Sequence, residues 1–225
     1  MNTAQFAKLI EYNTLGSIMN HDAWLRVFEV AKTYRFRSLV VTSNHVRHAK
    51  DELGDSGVRV NAVIAYPNGE MTIREKLFSA KVALDNGADE ISYVMNLSAI
   101  KSKDYLIVEE ELIRMLGLCQ NYHVDLNVYV ATDVLTKDEL AKISRIVKKY
   151  LPSGIVLTSL SNYATSIEDD VTMMRMMLNK DVKIKVDVDT DNFSDIMALA
   201  KLGASRFALK LPDLVINDFI CNYGK

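Results

Sequence analysis

The sequence predicts an α/β fold in which eight parallel strands and eight helices close into a single (β/α)8 barrel. Short apolar runs rich in β-branched residues alternate along the chain with longer segments of helical periodicity. This alternation is typical of a parallel sheet covered by helices. Eight strands are enough to close a barrel, and a length of 225 residues is within the range of one barrel domain.

Each predicted strand is a short run dominated by Val, Ile, Leu, Tyr or Phe, the residues enriched in strands. In chain order the predicted strands lie near Lys8–Tyr12, Ser38–Thr42, Val58–Tyr66, Glu90–Met95, Asp125–Val130, Gly154–Thr158, Val182–Val188 and Arg206–Leu209. The predicted helices lie near Asp22–Tyr34, Asn44–Leu53, Thr72–Asn86, Tyr105–Asn121, Lys137–Tyr150, Ile167–Leu178, Ser194–Leu202 and Leu214–Cys221.

Glycines mark three of the helix-to-strand connections. The predicted helices end shortly before Gly87, Gly154 and Gly203, and each glycine leads into a strand. A helix often ends at a residue in the left-handed conformation, which glycine adopts without steric cost. We therefore expect all three glycines to cap helices, and their recurrence supports a repeated βα unit.

Composition indicates one domain that spans residues 1–225. The chain has three prolines and no Gly/Ser-rich stretch, so nothing marks a flexible linker. A net charge of −2 gives no general attraction to nucleic acid or to anionic lipid, and no long apolar run is present. The sequence thus predicts no nucleic-acid partner and no membrane partner.

The two cysteines, Cys119 and Cys221, are too few for a disulfide framework and are not spaced as metal ligands. Residues 1–11 lack the layout of a secretory signal. These features together predict a cytoplasmic protein with reduced thiols. No glycine-rich dinucleotide or nucleoside-triphosphate motif occurs in the sequence, so we predict no cofactor.

A specific motif set lies in the first half of the chain. It comprises Val63-Ile64-Ala65-Tyr66-Pro67-Asn68-Gly69, then Thr72 and Lys76, then Gly87-Ala88-Asp89-Glu90-Ile91, then Asn96. This set resembles the deoxyribose-phosphate aldolase family, whose members read V-I-G-F-P-x-G, T-x-x-x-K, G-A-D-E-I-D and N at the same spacing. The resemblance implies a class I aldolase-type barrel with its site at the carboxyl ends of the strands.

The family reaction is the reversible cleavage of 2-deoxyribose 5-phosphate to glyceraldehyde 3-phosphate and acetaldehyde. The resemblance therefore implies a small carbonyl or sugar-phosphate-like ligand. Family members commonly form dimers, which implies a possible homodimer.

Several catalytic residues of the family are replaced in this chain. Gap-free matching of Thr158-Ser159 places Leu157 where the family has the lysine that forms a Schiff base with the substrate, and leucine cannot attack a carbonyl. Ser92 stands in place of an aspartate that takes part in proton transfer. Asn127 stands in place of an inward lysine, with Tyr129 expected on the same face. Only Lys185 on the seventh strand keeps its family identity.

Lys185 belongs to a charged stripe on the seventh predicted strand. Lys183, Lys185, Asp187 and Asp189 alternate with apolar residues, so all four charges share one face, which the resemblance turns into the barrel. Adjacent Asp187 and Asp189 are expected to hold Lys185 in its charged form, which opposes a nucleophilic role. We interpret the stripe as a salt-bridged remnant that fills a vacated pocket.

The phosphate-binding residues of the family also change. Val188 and Asp189 replace a glycine pair, and Lys210 follows the eighth strand where the family has small residues. A carboxylate repels phosphate, and a branched side chain blocks the close backbone approach that phosphate requires. Asn162 replaces a further family lysine. The predicted binding residues are Asp187, Asp189, Lys210, Thr158 and Ser159.

Three functional hypotheses remain. The first, which the replacements favour, is a divergent aldolase homologue that has lost its activity and keeps the barrel for binding or regulation. The second retains aldol chemistry with Lys185 as the Schiff-base lysine, assisted by Ser92, Asn96 or Tyr129. The third is a different carbonyl or sugar reaction that uses Asp187 and Asp189.

The third hypothesis could also involve a metal ion. Asp187, Asp189 and Asp191, with Asp133 on a neighbouring loop, could offer oxygen ligands to Mg²⁺ or Ca²⁺. They lack the glycine of a calcium loop, and we predict no metal ion.

Overall fold

A computed structural model describes residues 1–160 and 167–223, and these form a closed barrel of eight parallel strands. Each strand pairs with its sequence neighbours, and the last strand pairs with the first. The strands are β1 Ile10–Asn13, β2 Ser38–Thr42, β3 Arg59–Ile64, β4 Glu90–Val94, β5 Asp125–Ala131, β6 Gly154–Thr158, β7 Lys183–Asp187 and β8 Arg206–Leu209. The predicted fold class is confirmed.

Helices surround the barrel and connect its strands. They are α1 Thr3–Ala7, α2 His21–Tyr34, α3 Val46–Leu53, α4 Ile73–Asp85, α5 Leu97–Lys101, α6 Tyr105–Asn121, α7 Lys137–Tyr150, α8 Ile167–Met177, α9 Phe193–Leu202 and α10 Pro212–Asn222. Short 3₁₀ turns occupy Ser43–His45, Gly54–Ser56 and Thr132–Val134. The sequence did not predict α1 and α5, because five residues are too few to display a helical period.

The predicted strand ends differ from the observed ones by at most two residues. β3 ends at Ile64 rather than Tyr66, because Ala65 adopts a positive φ of 60° that turns the chain out of the sheet. Gly87 and Gly203 have φ values of 94° and 114° after α4 and α9, so these two predicted caps are confirmed.

The prediction that Gly154 caps a helix is wrong. Gly154 is the first residue of β6, and Leu151 caps α7 instead, with φ of 53° and an N–H that donates to the carbonyl of Val147. Gly154 is needed for a different reason, which is close packing inside the barrel. A Cβ there would lie 2.8 Å from Asn127 Oδ1 and 3.1 Å from the carbonyl oxygen of Lys183.

We expect Gly154→Ala to lower the free energy of unfolding by about 1–3 kcal/mol, since overpacking displaces buried neighbours. Urea unfolding measures this. Gly117→Ala is the matched control, because a Cβ at Gly117 in α6 would contact no atom within 4 Å. The control should be neutral or stabilising by about 0.5–1 kcal/mol. Equal effects of the two variants would contradict the packing argument.

Two apolar clusters follow from the alternation of strand side chains. The larger cluster fills the layer between the barrel and the helices, and it includes Leu157, Val186 and Phe207 from the strands. The smaller cluster, called here the inner cluster, consists of Leu15, Val40, Val63, Val94, Tyr129 and Val156. Five of these residues are strand residues that face the barrel interior.

Both cysteines are unpaired, and Cys119 is buried in α6. Burial raises the pKa of Cys119 to about 12. Within the described part of the chain, no helix combines the length and the apolar character needed to cross a bilayer.

Candidate active site at the carboxyl ends of the strands

Lys185 lies inside the barrel, where it joins glutamates from two other strands. Its Nζ lies 2.8 Å from Glu11 Oε1 of β1 and 3.1 Å from Glu90 Oε2 of β4. All three side chains are at most 2% exposed. Arg59 Nη1 lies 2.9 Å from the other oxygen of Glu90. Because Lys185 reaches strands that are not its neighbours, these contacts cross the barrel interior.

The charge balance favours the ionised pair. Burial opposes ionisation of Glu90, but Lys185, Arg59 and Arg206 outweigh it and lower the pKa of Glu90 to about 2. The prediction that Asp187 and Asp189 hold Lys185 is therefore wrong in its partners. Sequence spacing along one strand could not show that two distant strands direct glutamates to the level of Lys185.

Of the predicted assisting residues, Ser92 and Tyr129 are buried inside the barrel, and Asn96 lies at the start of a helix. Ser92 is fully buried, and its hydroxyl donates to Asn61 Oδ1 at 2.8 Å. Tyr129 belongs to the inner cluster and is 1% exposed, and burial raises its pKa well above the ordinary value. Asn96 caps α5, where its side chain accepts from the N–H of Ala99.

The structure corrects the placement of Leu157. Register pairs Val156 with Lys185 and Leu157 with Val186, so the inward residues of β6 are Val156 and Thr158. Leu157 is fully buried in the outer apolar layer. Matching of the sequence did not show this orientation, because a shift of one residue moves a strand side chain to the opposite face. The strand contains no lysine on either face.

A cavity of about 700 Å³ opens at the carboxyl ends of the strands. All five predicted binding residues line it, namely Thr158, Ser159, Asp187, Asp189 and Lys210. The sequence reasoning missed several other lining residues, which are Asn13, Leu15, Tyr66, Pro67, Asn68 and Leu160. Asn13 could have been found from its position at the end of β1. Asn162 lies outside the described residues.

Asp187 is the carboxylate with the most developed contacts in this cavity. Its Oδ1 accepts from Asn13 Nδ2 at 2.9 Å, and its Oδ2 accepts from Thr158 Oγ1 at 3.1 Å. Asn13 is itself fixed because its Oδ1 accepts from the N–H of Leu15. Burial raises the pKa of Asp187 above its usual range, although these two hydrogen bonds and Lys210 oppose the shift. A poised carboxylic acid of this kind can exchange a proton with a ligand.

The raised pKa of Asp187 predicts a pH-dependent cost to stability. The folded state binds this proton more tightly than the unfolded state, so the ionised carboxylate destabilises the fold above its folded pKa. We expect Asp187→Asn to raise the free energy of unfolding by about 1 kcal/mol at pH 7, as is common for functional residues. The gain should shrink as the pH falls toward 3. Unfolding of both proteins across this range measures it, with exposed Asp51→Asn as the control.

A stability gain that does not change with pH would contradict the assignment of this cost to Asp187. A loss of stability at pH 7 would contradict it as well, because the asparagine would then be a poorer fit than the carboxylate.

The sequence is similar to those of curated deoxyribose-phosphate aldolases. The chain is 31% identical over 220 residues to the deoxyribose-phosphate aldolase of Lactococcus lactis subsp. lactis, covering 97% of this chain and 98% of the relative. It is 30% identical over 201 residues to the deoxyribose-phosphate aldolase of Lactobacillus acidophilus, covering 89% and 85%. The chain belongs to the deoxyribose-phosphate aldolase family. No family model matches it.

Solved structures support the fold. The chain superposes on an aldolase named QR15 with a TM-score of 0.87 and 21% identity, covering 96% of each chain. It superposes on the tetrameric deoxyribose phosphate aldolase of Aeropyrum pernix with a TM-score of 0.86 and 18% identity, covering 97% of this chain and 92% of the other. The barrel of this family member is thus built like those of aldolases.

Val188 and Asp189, which replace the family's glycine pair in the sequence, lie at the cavity. The N–H of Val188 donates to the carbonyl of Ala208 at 3.1 Å, so it is already engaged in the fold. Asp189 is exposed at the cavity rim. Among the residues with described positions, no group of three or more Asp, Glu, His and Cys side chains is arranged to hold a metal ion.

Proposed function

We propose that this family member has lost Schiff-base aldol chemistry and binds a small sugar-like carbonyl compound in the cavity at the carboxyl ends of the strands. The observation that carries the proposal is the position of Lys185. An imine requires an uncharged amine that can reach a carbonyl carbon. Lys185 is held between Glu11 and Glu90, and it does not line the cavity.

The remaining strand positions support the same proposal. β6 contains no lysine, and its inward residue beside Lys185 is Val156. The inner cluster contributes hydrocarbon at this level of the barrel, with Tyr129 as its largest member. We infer that this hydrocarbon separates a carbonyl compound in the cavity from Lys185, Glu11 and Glu90.

Lys210 lines the cavity but lacks the surroundings that activate a lysine. It follows β8 at the rim and is exposed. Nucleophilic lysines are usually desolvated in apolar pockets or placed beside another cation. Its neighbour Asp187 contributes a carboxylate rather than a second cation.

A second candidate function is a different carbonyl or sugar reaction with Asp187 as acid or base. The raised pKa of Asp187 and its position in the cavity favour this candidate. Asp189 would serve there as a second carboxylate. An active aldolase that uses Lys185 would instead require Lys185 to leave both glutamates and reach past the inner cluster.

We also infer that the chain acts as a single domain over residues 1–225, in the cytoplasm, and forms a homodimer. Family membership supports these inferences, and the similar structure from Aeropyrum pernix is described as a tetramer, which supports self-association but not a dimer in particular. Light scattering of the purified chain tests the homodimer.

Turnover of 2-deoxyribose 5-phosphate tests the proposal, with the Lactococcus lactis relative assayed in parallel as the positive control. We expect acetaldehyde release by the relative and none by this chain. Acetaldehyde release that persists after repeated purification would overturn the proposal. Proton NMR of the same incubation in D₂O tests the second candidate, because an altered sugar without acetaldehyde would indicate acid–base chemistry by Asp187.

A further inference from the structure

The cavity carries more negative than positive charge among its described lining residues. Asp187 and Asp189 face one cation, Lys210. Asp133 lies just behind the wall, where its Oδ2 accepts from Ser159 Oγ at 2.8 Å. A phosphate dianion entering this site would meet the carboxylates of Asp187 and Asp189, and a partly buried site screens such repulsion poorly.

Three backbone N–H groups of the loops that follow β6 and β7 are engaged within the fold. Proteins bind phosphate mainly through convergent backbone N–H groups and cationic side chains. The N–H of Val188 donates to Ala208, and the N–H of Leu160 donates to Asp133 Oδ2 at 3.0 Å. The N–H of Phe193, at the start of α9, donates to Asp218 Oδ2 at 2.8 Å. Each bond would have to break before the group could bind an anion.

The same wall suits hydroxyl groups. A carboxylate has about four acceptor positions, and Asp187 uses two of them for Asn13 and Thr158. Asn13 keeps one amide N–H beyond the one given to Asp187, and the Thr158 oxygen keeps its lone pairs. Donors and acceptors therefore lie side by side. A hydroxyl group both donates and accepts, so a vicinal pair of hydroxyls can satisfy both kinds.

Part of the cavity lining is apolar. Leu15, Tyr66, Pro67 and Val188 provide carbon surface, and Tyr66 is 37% exposed. The C–H face of a sugar can pack there while its hydroxyls face Asp187. The volume of about 700 Å³ is ample for a pentose and typical of small-molecule sites.

We infer that the cavity binds a neutral polyhydroxylated compound of pentose size and selects against the phosphate ester of that compound. This inference rests on the proposed function, which places a sugar-like ligand in the cavity. It adds the chemical class of the ligand and names Asp187 as the main hydroxyl acceptor and Asp189 as the residue that rejects phosphate.

Calorimetry or ligand-observed NMR with ribitol and ribitol 5-phosphate tests the inference on the full chain. Neither compound has a carbonyl, so their binding does not depend on imine formation and is independent of the aldol assay. We expect ribitol to bind at least about tenfold more tightly than its phosphate ester, a difference of about 1.4 kcal/mol. Inorganic phosphate alone should not compete with ribitol.

Three variants locate the effect. Asp187→Asn should weaken ribitol binding about tenfold or more, since it loses charge-assisted hydrogen bonds. Asp189→Asn should strengthen binding of ribitol 5-phosphate relative to ribitol about threefold or more, because a repelling charge is removed. Asp51→Asn, on the exposed surface of α3, should change neither affinity.

Tighter or equal binding of the phosphate ester would overturn the inference while leaving the loss of aldol chemistry intact. Ribitol binding that is unaffected by Asp187→Asn would overturn it too, because the ligand would then sit elsewhere. Absence of binding by both compounds would do the same. Acetaldehyde release in the turnover assay would count against the proposed function without deciding the preference for a neutral ligand.

Discussion

Lys185→Met is expected to lower the free energy of unfolding by about 3–5 kcal/mol, because it leaves Glu11 and Glu90 buried without their central cation. Denaturant unfolding at pH 7 measures the loss. Lys183→Met is the matched control, since Lys183 is exposed at the start of the same strand, and it should leave stability unchanged.

The loss should also depend on pH. A carboxylate with a lowered pKa stabilises the fold above its unfolded pKa, and this contribution disappears as the pH falls through the folded value. The folded pKa of Glu90 is about 2. Without the cation, burial should raise the pKa of the glutamates in Lys185→Met, so its difference from the wild type should shrink as the pH falls through that raised value toward 2. A difference that grows at low pH would contradict the ion-pair account.

Neutralising the glutamates should recover part of the lost stability. The triple variant Lys185→Met, Glu11→Gln, Glu90→Gln removes the two buried carboxylates together with the cation, while partly exposed Arg59 and Arg206 keep contact with solvent. It should be more stable than Lys185→Met alone. If the triple variant is instead less stable, the pairing of the glutamates with Arg59 and Arg206 outweighs the cost of the charges that Lys185 neutralises.

Leu157→Lys is expected to destabilise the protein by several kcal/mol and to produce no aldolase activity. The side chain of Leu157 is fully buried in the outer apolar layer, so an ammonium there would be buried without a partner. The new amine would also point away from the cavity. Thermal unfolding measures the loss of stability, and acetaldehyde release from 2-deoxyribose 5-phosphate measures activity.

Leu157→Met is the control for this experiment, because a volume-conserving apolar exchange usually costs less than about 1.5 kcal/mol. Turnover by Leu157→Lys would show that β6 turns this residue toward the cavity. It would contradict the register that pairs Val156 with Lys185.

Much of the fold was predictable from the sequence because each strand–helix unit carries its own pattern. The predicted strands Ser38–Thr42, Gly154–Thr158 and Arg206–Leu209 match the structure to the residue. The clustering of Asp187, Asp189 and Lys210 was also predictable, since the carboxyl ends of barrel strands meet at one edge. These features depend on local periodicity and on one general rule of topology.

What the sequence could not supply were relations between distant strands. The pairing of Lys185 with Glu11 and Glu90 depends on the register of three strands that are not neighbours in the sheet. The orientation of Leu157 depends on register, and a motif match to its neighbours Thr158 and Ser159 did not fix it. Both are tertiary properties that no local pattern encodes.

Reductive trapping determines whether Lys185 forms an imine with a carbonyl compound. The full chain is incubated with acetaldehyde or a pentose phosphate and then reduced with borohydride. Mass spectrometry of the intact protein detects an adduct, and peptide mapping identifies the modified residue. We expect no adduct at Lys185, whose amine is held by Glu11 and Glu90. An adduct at Lys185 would contradict the loss of imine chemistry if its yield saturates with ligand concentration or falls when excess ligand protects the site.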